Sequence, residues 1–265
     1  SIPPITPPTQ VANNGIPEVL TNGQNSVVTI EKNASSTGYE IKDENGWMLS
    51  IAAEAKLTDP NKSNNENSLS HITVEPGSNV FTHGRGFKPH SQVDVYVFSD
   101  PQLLGSTVTD EFGNFQTTLP IPVSLSFGKH SFQVNGYTKD NQIRSANVPL
   151  IILPPKNGKI SKVQVFYNLD SAALGAQAKL DLIKFAKRVI SNTTGKKRAY
   201  ISVTGWVQPT KISPNTFPLS KARAMVVVNY LRFLKVNARF QVTIAGFGLK
   251  NSPKWRRADV VALIK

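Results

Sequence analysis

Arg223 stands in LSKARAM, where an apolar-periodic stretch begins, and Trp206 stands ahead of it in TGWVQPT, directly after a strand-like run. A guanidinium in that place could grip an anion, and an indole could stack on a sugar ring; both are binding functions, not bond-making ones. The macrodipole at a helix start favours acids, so Arg223 needs a partner of its own. That partner is either a ligand anion or, within the chain, a backbone carbonyl or Asp170. Trp206 has two readings as well, a platform for sugar or a cap on the core. Support for other chemistry is poor. No Walker loop, dinucleotide fingerprint, HExxH or GxSxG occurs. His71, His83, His90 and His130 do not pair at ligand spacing, and there is no cysteine to supply a thiolate. Asp110 and Asn114, in DEFGN, suit a turn better than a calcium loop. The expectation is a binding protein with no catalytic residue, no metal and no cofactor.

Charge is divided unevenly along the chain. Residues 1–155 carry 9 Lys+Arg against 14 Asp+Glu, whereas residues 156–265 carry 21 against 3. A local excess of that size favours an acidic partner: an anionic wall polymer, a lipid surface, nucleic acid or an acidic protein. Nucleic acid is kept as a second, weaker rival to the wall polymer, because the basic residues are scattered without an aromatic-bearing strand or a recognition helix among them. The longest apolar runs, VPLIIL and AMVVV, fall far short of the ~20 residues of a membrane-spanning helix.

The elements that must position Arg223 and Trp206 follow from periodicity. Residues 1–10, SIPPITPPTQ, read as a Pro-rich linker. Residues 11–70 alternate in short runs separated by turn clusters and predict a small β domain or half-domain. Residues 71–153 predict an Ig-like β-sandwich, with DEFGN as a hairpin turn and Gly113 at its positive φ. PPKNGK marks a linker over 154–159. Residues 160–265 then mix periods: KVQVFY as a strand, a helix over Ser171 to Ile190 with Leu180, Ile183, Ala186 and Ile190 on its apolar stripe and Leu182, Phe185 and Val189 widening it, AYISVTGW as a strand, a helix from Leu219 with Ser220 as N-cap, and two closing strands. The predicted fold is therefore multidomain, all-β modules followed by an α/β domain in the order β-α-β-α-β-β, with helices on one face of a mixed sheet.

VFYNLDSAALGAQAKL, VTGW, LSKARAMVVVNYL, IAGFG and RRADVVAL, in that order, make this last domain resemble the OmpA-like C-terminal domain, the peptidoglycan-associating module of bacterial envelope proteins. The β region, through GFKPHSQVDVYVFSDPQLLGSTVTDEFGNF and GKHSFQVNGYT, resembles Ig-like domains of actinobacterial secreted and surface proteins. In the OmpA-like family an Asp in the loop after the TG strand holds the ammonium of a diaminopimelate side chain, and the Arg of LSxxRA holds its carboxylate. The resemblance places that Arg at Arg223 and that Asp at Gln208; the family's loop Asn is one place early as Asn215, with Thr216 in its slot. Arg256 and Arg257 match the family's terminal Arg pair, one of which packs at the edge of the site.

An amide at 208 removes one pole of that grip. Hydrogen bonds to charged groups are worth about 1.5–3 kcal/mol, roughly twice a neutral bond. With Asp170, Asp181 and Asp259 as the acids of residues 156–265, an ammonium would find little compensating charge, and a carboxylate, phosphate or uronic acid would be favoured. The resemblance therefore implies a secreted, extracellular, wall-associated protein without enzymatic activity. Its ligand residues would be Arg223, Gln208, Trp206, Asn215, Thr216, Arg256 and Arg257, its partner the wall polymer, and its β domains a spacer or display arm that could meet protein partners. A protein-docking module with a degenerate groove is the rival from a different class. On the wall reading, Arg223→Ala weakens binding and leaves folding intact.

Overall fold

The computed structural model describes residues 15–33, 37–54, 71–98, 101–155, 158–195, 197–208, 216–245 and 252–265. The chain divides into two compact units. One holds the described residues up to Ile121 together with Phe127–Pro154; the other holds Pro122–Ser126 and Pro155–Lys265.

The first unit is all strand. In chain order its elements are β1 (Glu18–Thr21), β2 (Gln24–Asn25), β3 (Thr29–Lys32), β4 (Gly38–Lys42), β5 (Met48–Ala53), β6 (Ile72–Val74), β7 (Asn79–Arg85), β8 (Gln92–Phe98), β9 (Gln102–Val108), β10 (Phe115–Pro120), β11 (Gly128–Tyr137) and β12 (Ile143–Ile152). One sheet runs β9-β8-β11-β12-β1-β2, with β6 parallel to β12, and a second runs β10-β7-β5-β4-β3. The alternation Val93, Val95, Val97 against Asp94, Tyr96 is present in β8, and both sets are buried. Asp94 keeps its place inside by accepting from Gln92 and Ser106.

The described residues between 15 and 54 pair with strands from beyond residue 70. β1 pairs with β12, Leu20 opposite Ser145, and β5 pairs with β7, Ile51 opposite Thr82. Arg144 of β12 donates to Asp43 Oδ2 at 2.6 Å while its guanidinium lies 5.0 Å from the Trp47 ring centroid. Such long-range pairing leaves no separate core for the first segment. DEFGN is a turn, with Gly113 at φ +78 and Asp110 Oδ1 accepting from the N–H groups of Phe112 and Asn114. Those bonds, led by that from the Asn114 backbone, hold the Asp110 carboxyl below its ordinary range and leave it committed to the turn. It is not a hairpin between paired strands: β9 belongs to one sheet, and β10 pairs with β7 in the other. Residue 113 must be Gly for a second reason, since a Cβ there would lie 2.0 Å from the Phe87 carbonyl oxygen.

The second unit has the element order expected from the periodicity: β13 (Lys159–Phe166), α1 (Ala176–Asn192), β14 (Ala199–Gly205), α2 (Thr216–Phe233), β15 (Ala238–Ile244) and β16 (Arg257–Ile264), with a 3-10 turn at Pro253–Trp255. The strands lie in the order β13-β16-β14-β15, parallel between β14 and β15 and antiparallel elsewhere. Helix α1 buries Leu182, Phe185, Ala186 and Val189, whereas Leu180 and Ile190, expected on its apolar stripe, are exposed. Val165, Ile201, Val203, Val227, Val228, Leu231 and Val260 complete the core between helices and sheet. The other face of the sheet carries Tyr200, Val261 and Leu263, and Val123 of the segment 122–126 packs against them. That segment is tied down by a 2.9 Å bond from Val123 N to Ser202 Oγ. The domain expected over 160–265 thus takes in five residues from far upstream.

Ser220 is not an N-cap. Helix α2 is already formed at Thr216, where Pro218 sits in the first turn and needs no N–H partner. Ser220 is fully buried and donates from Oγ to the Gly205 carbonyl at 2.6 Å. The closeness is enforced by residue 205, because a Cβ there would lie 1.9 Å from the Ser220 carbonyl oxygen. Gly205→Ala must push α2 off the end of β14. Overpacking of this kind costs ~1–3 kcal/mol, and the expected outcome is a lowered thermal midpoint in circular dichroism with unchanged secondary-structure content. An unchanged midpoint would show that helix and strand do not meet this closely.

Candidate functional site

Strand pairing brings the loops that follow β13, β14 and β15, and the turn that precedes β16, to one end of the second unit's sheet. Phe166 is opposite Arg257, and Gly205 lies opposite both Ala258 and Ile244. Helix α2 starts at that same end, as its Ser220 bond to Gly205 requires. Trp206, Gln208, Thr216, Arg223, Arg256 and Arg257 are therefore gathered there; Asn215 lies outside the described residues.

Arg223 is directed inward. It is 1% exposed, and its guanidinium donates to three backbone carbonyls: Nε to Ser171 at 2.8 Å, Nη1 to Trp206 at 2.8 Å and Nη2 to Asn168 at 3.0 Å. The Tyr167 ring lies 5.1 Å beneath it, and the Tyr167 hydroxyl donates to Arg223's own carbonyl at 2.8 Å. Burial pushes the Arg223 pKa down, with Tyr167 and Asp170 opposing and Arg256 reinforcing that shift. Burial pushes the Tyr167 phenol up, against the nearby guanidinium. Of the internal partners open to Arg223 at the sequence level, the carbonyls hold it, and Asp170 acts through space alone. Tyr167 itself was missed as a partner; the alternation in KVQVFY gives its inward parity but not its neighbour.

Trp206 is buried at 4% exposed and packs with Trp255 and Ala245, the two indole centroids 4.9 Å apart. The core-capping alternative is the one this geometry fits. Among the described residues neither indole N–H of the pair has a hydrogen-bond partner. Arg257 lies 4.6 Å from the Trp255 ring and 5.6 Å from that of Trp206, with its Nε 2.9 Å and Nη2 3.2 Å from the two carboxylate oxygens of Asp259. That fork and double stack leave Arg257 as a bracket between the tryptophans and β16. Trp255, unmarked by the sequence reading, is the other half of that bracket. Thr216 is buried in the first turn of α2 and offers no exposed hydroxyl.

Gln208 and Arg256 differ from all of these. Both are half-buried, and Arg256 donates from Nε to Gln208 Oε1. Among the described residues no bond is found for the two terminal nitrogens of Arg256. Its charge is close enough to Arg223 to disfavour that residue's protonation. The site therefore holds two guanidinium groups that repel one another, the buried one satisfied by carbonyls and the other half-engaged by an amide. Among the described residues of this unit, the one ion pair is Arg257 with Asp259.

No family model matches the chain, and no curated protein does. Parts of it are similar to solved structures. The OmpA-like domain of FopA1 from Francisella tularensis aligns at 16% identity over 42% of this chain and 78% of that one, with a TM-score of 0.34. The periplasmic domain of Helicobacter pylori MotB aligns at 23% identity over 41% and 83%, TM-score 0.33. The peptidoglycan-associated lipoprotein of Burkholderia pseudomallei aligns at 23% identity over 37% and 88%, TM-score 0.30. No helix of the described chain is long and apolar enough to cross a membrane.

The expectation that Arg223→Ala leaves folding intact is overturned by this geometry. Removing the side chain strands the Ser171 and Trp206 carbonyls, leaves Asn168's with the Ser171 N–H, and empties a fully buried volume, and each lost charge-assisted bond is worth about 1.5–3 kcal/mol. Arg223→Ala is expected to cost on the order of 3 kcal/mol or more in urea denaturation. Arg223→Lys should recover little, because an ammonium cannot reproduce a planar fork aimed at carbonyls from two loops. Near-wild-type stability of both variants would show that the carbonyl contacts do not hold these loops.

Proposed function

We propose that the protein is a non-enzymatic cell-envelope component whose second unit, an OmpA-like module, associates with the cell wall through anionic groups. Its first unit, an Ig-like β module, serves on this reading as a spacer or display arm outside the cell. The observation that carries the proposal is the Gln208–Arg256 pair beside Arg223. Where the resemblance implies a carboxylate for an ammonium, this chain has an amide, and the guanidinium bonded to that amide has no partner for its terminal nitrogens among the described residues. Arg256 is then the direct contact to a wall carboxylate, phosphate or uronic acid, and Gln208 orients it. Arg223 adds charge from a dry position behind, where screening is weak. Its own bonds shape the loops and leave it a supporting role. The charge of the whole unit, 21 basic side chains against 3 acids, supports the same sign of ligand.

Sedimentation with purified peptidoglycan, before and after its anionic polymers are stripped, tests this. Retention is expected on the intact wall and to fall with added salt. Arg256→Ala is expected to lower it about ten-fold, the loss of one charge-assisted contact, with little change in the thermal midpoint. Gln208→Asp neutralises Arg256 locally and is expected to lower retention on intact wall while raising it on stripped wall. Equal retention of the parent on both walls would overturn the preference for anions, and retention on neither would favour a protein-docking module.

A further inference from the structure

The far end of the same unit has a different character. β13, β14 and β15 begin there and β16 ends there, since Lys159 and Ala199 both face Ile264, and Ala199 faces Ala238. Both helices finish there too: Lys159 Nζ reaches Asn192 at the last residue of α1, and α2 ends at Phe233, five residues before β15. All three acids of the unit lie away from this end. Asp170 is in the loop after β13, Asp181 is in the N-terminal half of α1, and Asp259 is bound to Arg257 near the start of β16. What remains is Lys159, Arg188, Lys197, Arg198, Lys235 and Arg239, all exposed and none in an ion pair among the described residues. The negative end of the α2 dipole accounts for Arg232 in its last turn. It does not account for these six, of which Arg188 lies ahead of the last turn of α1 and the rest sit at strand ends and in turns.

Apolar side chains are exposed among these cations. Phe233 is 72% exposed, stacked on Tyr230 at 6.0 Å, and Ile190 and Ile160 are exposed at the ends of α1 and β13. The opposite end also exposes Phe166, Leu169 and Leu180, but beside Asp170 and Asp181, so that its charge is mixed. A polyanion in solution has no use for an exposed phenyl ring. An anionic bilayer surface satisfies both features at once, its headgroups meeting the cations and its acyl boundary taking the ring.

We infer that this end is a docking surface for anionic phospholipid bilayers, with Phe233 entering the interface and the surrounding Lys and Arg held at headgroup level. It is distinct from the Gln208–Arg256 site and does not rest on the wall reading. Flotation of the full chain with vesicles tests it. Binding is expected to phosphatidylglycerol/phosphatidylcholine vesicles, to be absent on phosphatidylcholine alone, and to fall about ten-fold on passing to high salt. Phe233→Ser is expected to weaken it several-fold and the pair Lys197→Glu with Arg198→Glu to abolish it, both with thermal midpoints unchanged; Arg256→Ala leaves it as it was. Equal binding to phosphatidylcholine vesicles would overturn the proposal. So would a Phe233→Ser variant that binds like the parent while soluble polyphosphate competes fully, the signature of a simple polyelectrolyte contact.

Discussion

Arg223 directs its charge into the protein, onto carbonyls that belong to two separate loops and have no strand or helix partner to accept from. Backbone carbonyls at the ends of strands must be satisfied somewhere, and a planar guanidinium with several donors can serve three at once. The Tyr167 ring beneath it and the hydroxyl bond back to its own carbonyl fix the side chain from the other side. Helix α2 is thereby fastened to the loop after β13 and the loop after β14, and the Gly205–Ser220 approach fastens it again one turn earlier. These bonds are internal to the unit and fix the two loops against α2.

The buried knot also explains why a desolvated cation is tolerated without a carboxylate. Its hydrogen bonds replace water, while Asp170 at a distance and the aromatic face below temper the remaining cost. Arg256 enjoys no such enclosure. Two cations of the same motif region thus fall into different roles, one holding the loops and the other left with nitrogens to offer, and the division follows from burial.

The order of elements in the second unit was legible because hydrophobic period changes cleanly from two to helical and back. Which edge of the stripe on α1 faces the sheet was not. The stripe spans Leu182, Phe185 and Val189 as well as Leu180, Ile183 and Ile190, and only the position of the sheet buries the first set. In the first unit turn chemistry was read correctly at DEFGN, yet turn chemistry says nothing about which sheet the next strand joins. A separate domain over 11–70 failed for the same reason, since the pairing of Leu20 with Ser145 is not written in any local pattern. At the site, the residue types and their convergence could be drawn from the motifs. The amide–guanidinium bond between Gln208 and Arg256 and the indole pair of Trp206 and Trp255 could not, because each joins residues nearly fifty positions apart. The charge excess was a matter of counting, whereas its gathering at one pole required the strand directions.

Residues 122–126 give the second unit a covalent history that its own stretch of sequence lacks. Val123 seals Val261 and Leu263, and Ser202 is bonded by a backbone group 79 positions earlier. A gene fragment beginning at residue 155 would encode every helix and strand of this unit and still produce it with a seam open, two aliphatic side chains wetted and a hydroxyl returned to water. The boundary that looks natural on paper, at the proline-rich joint, is therefore a poor place to cut.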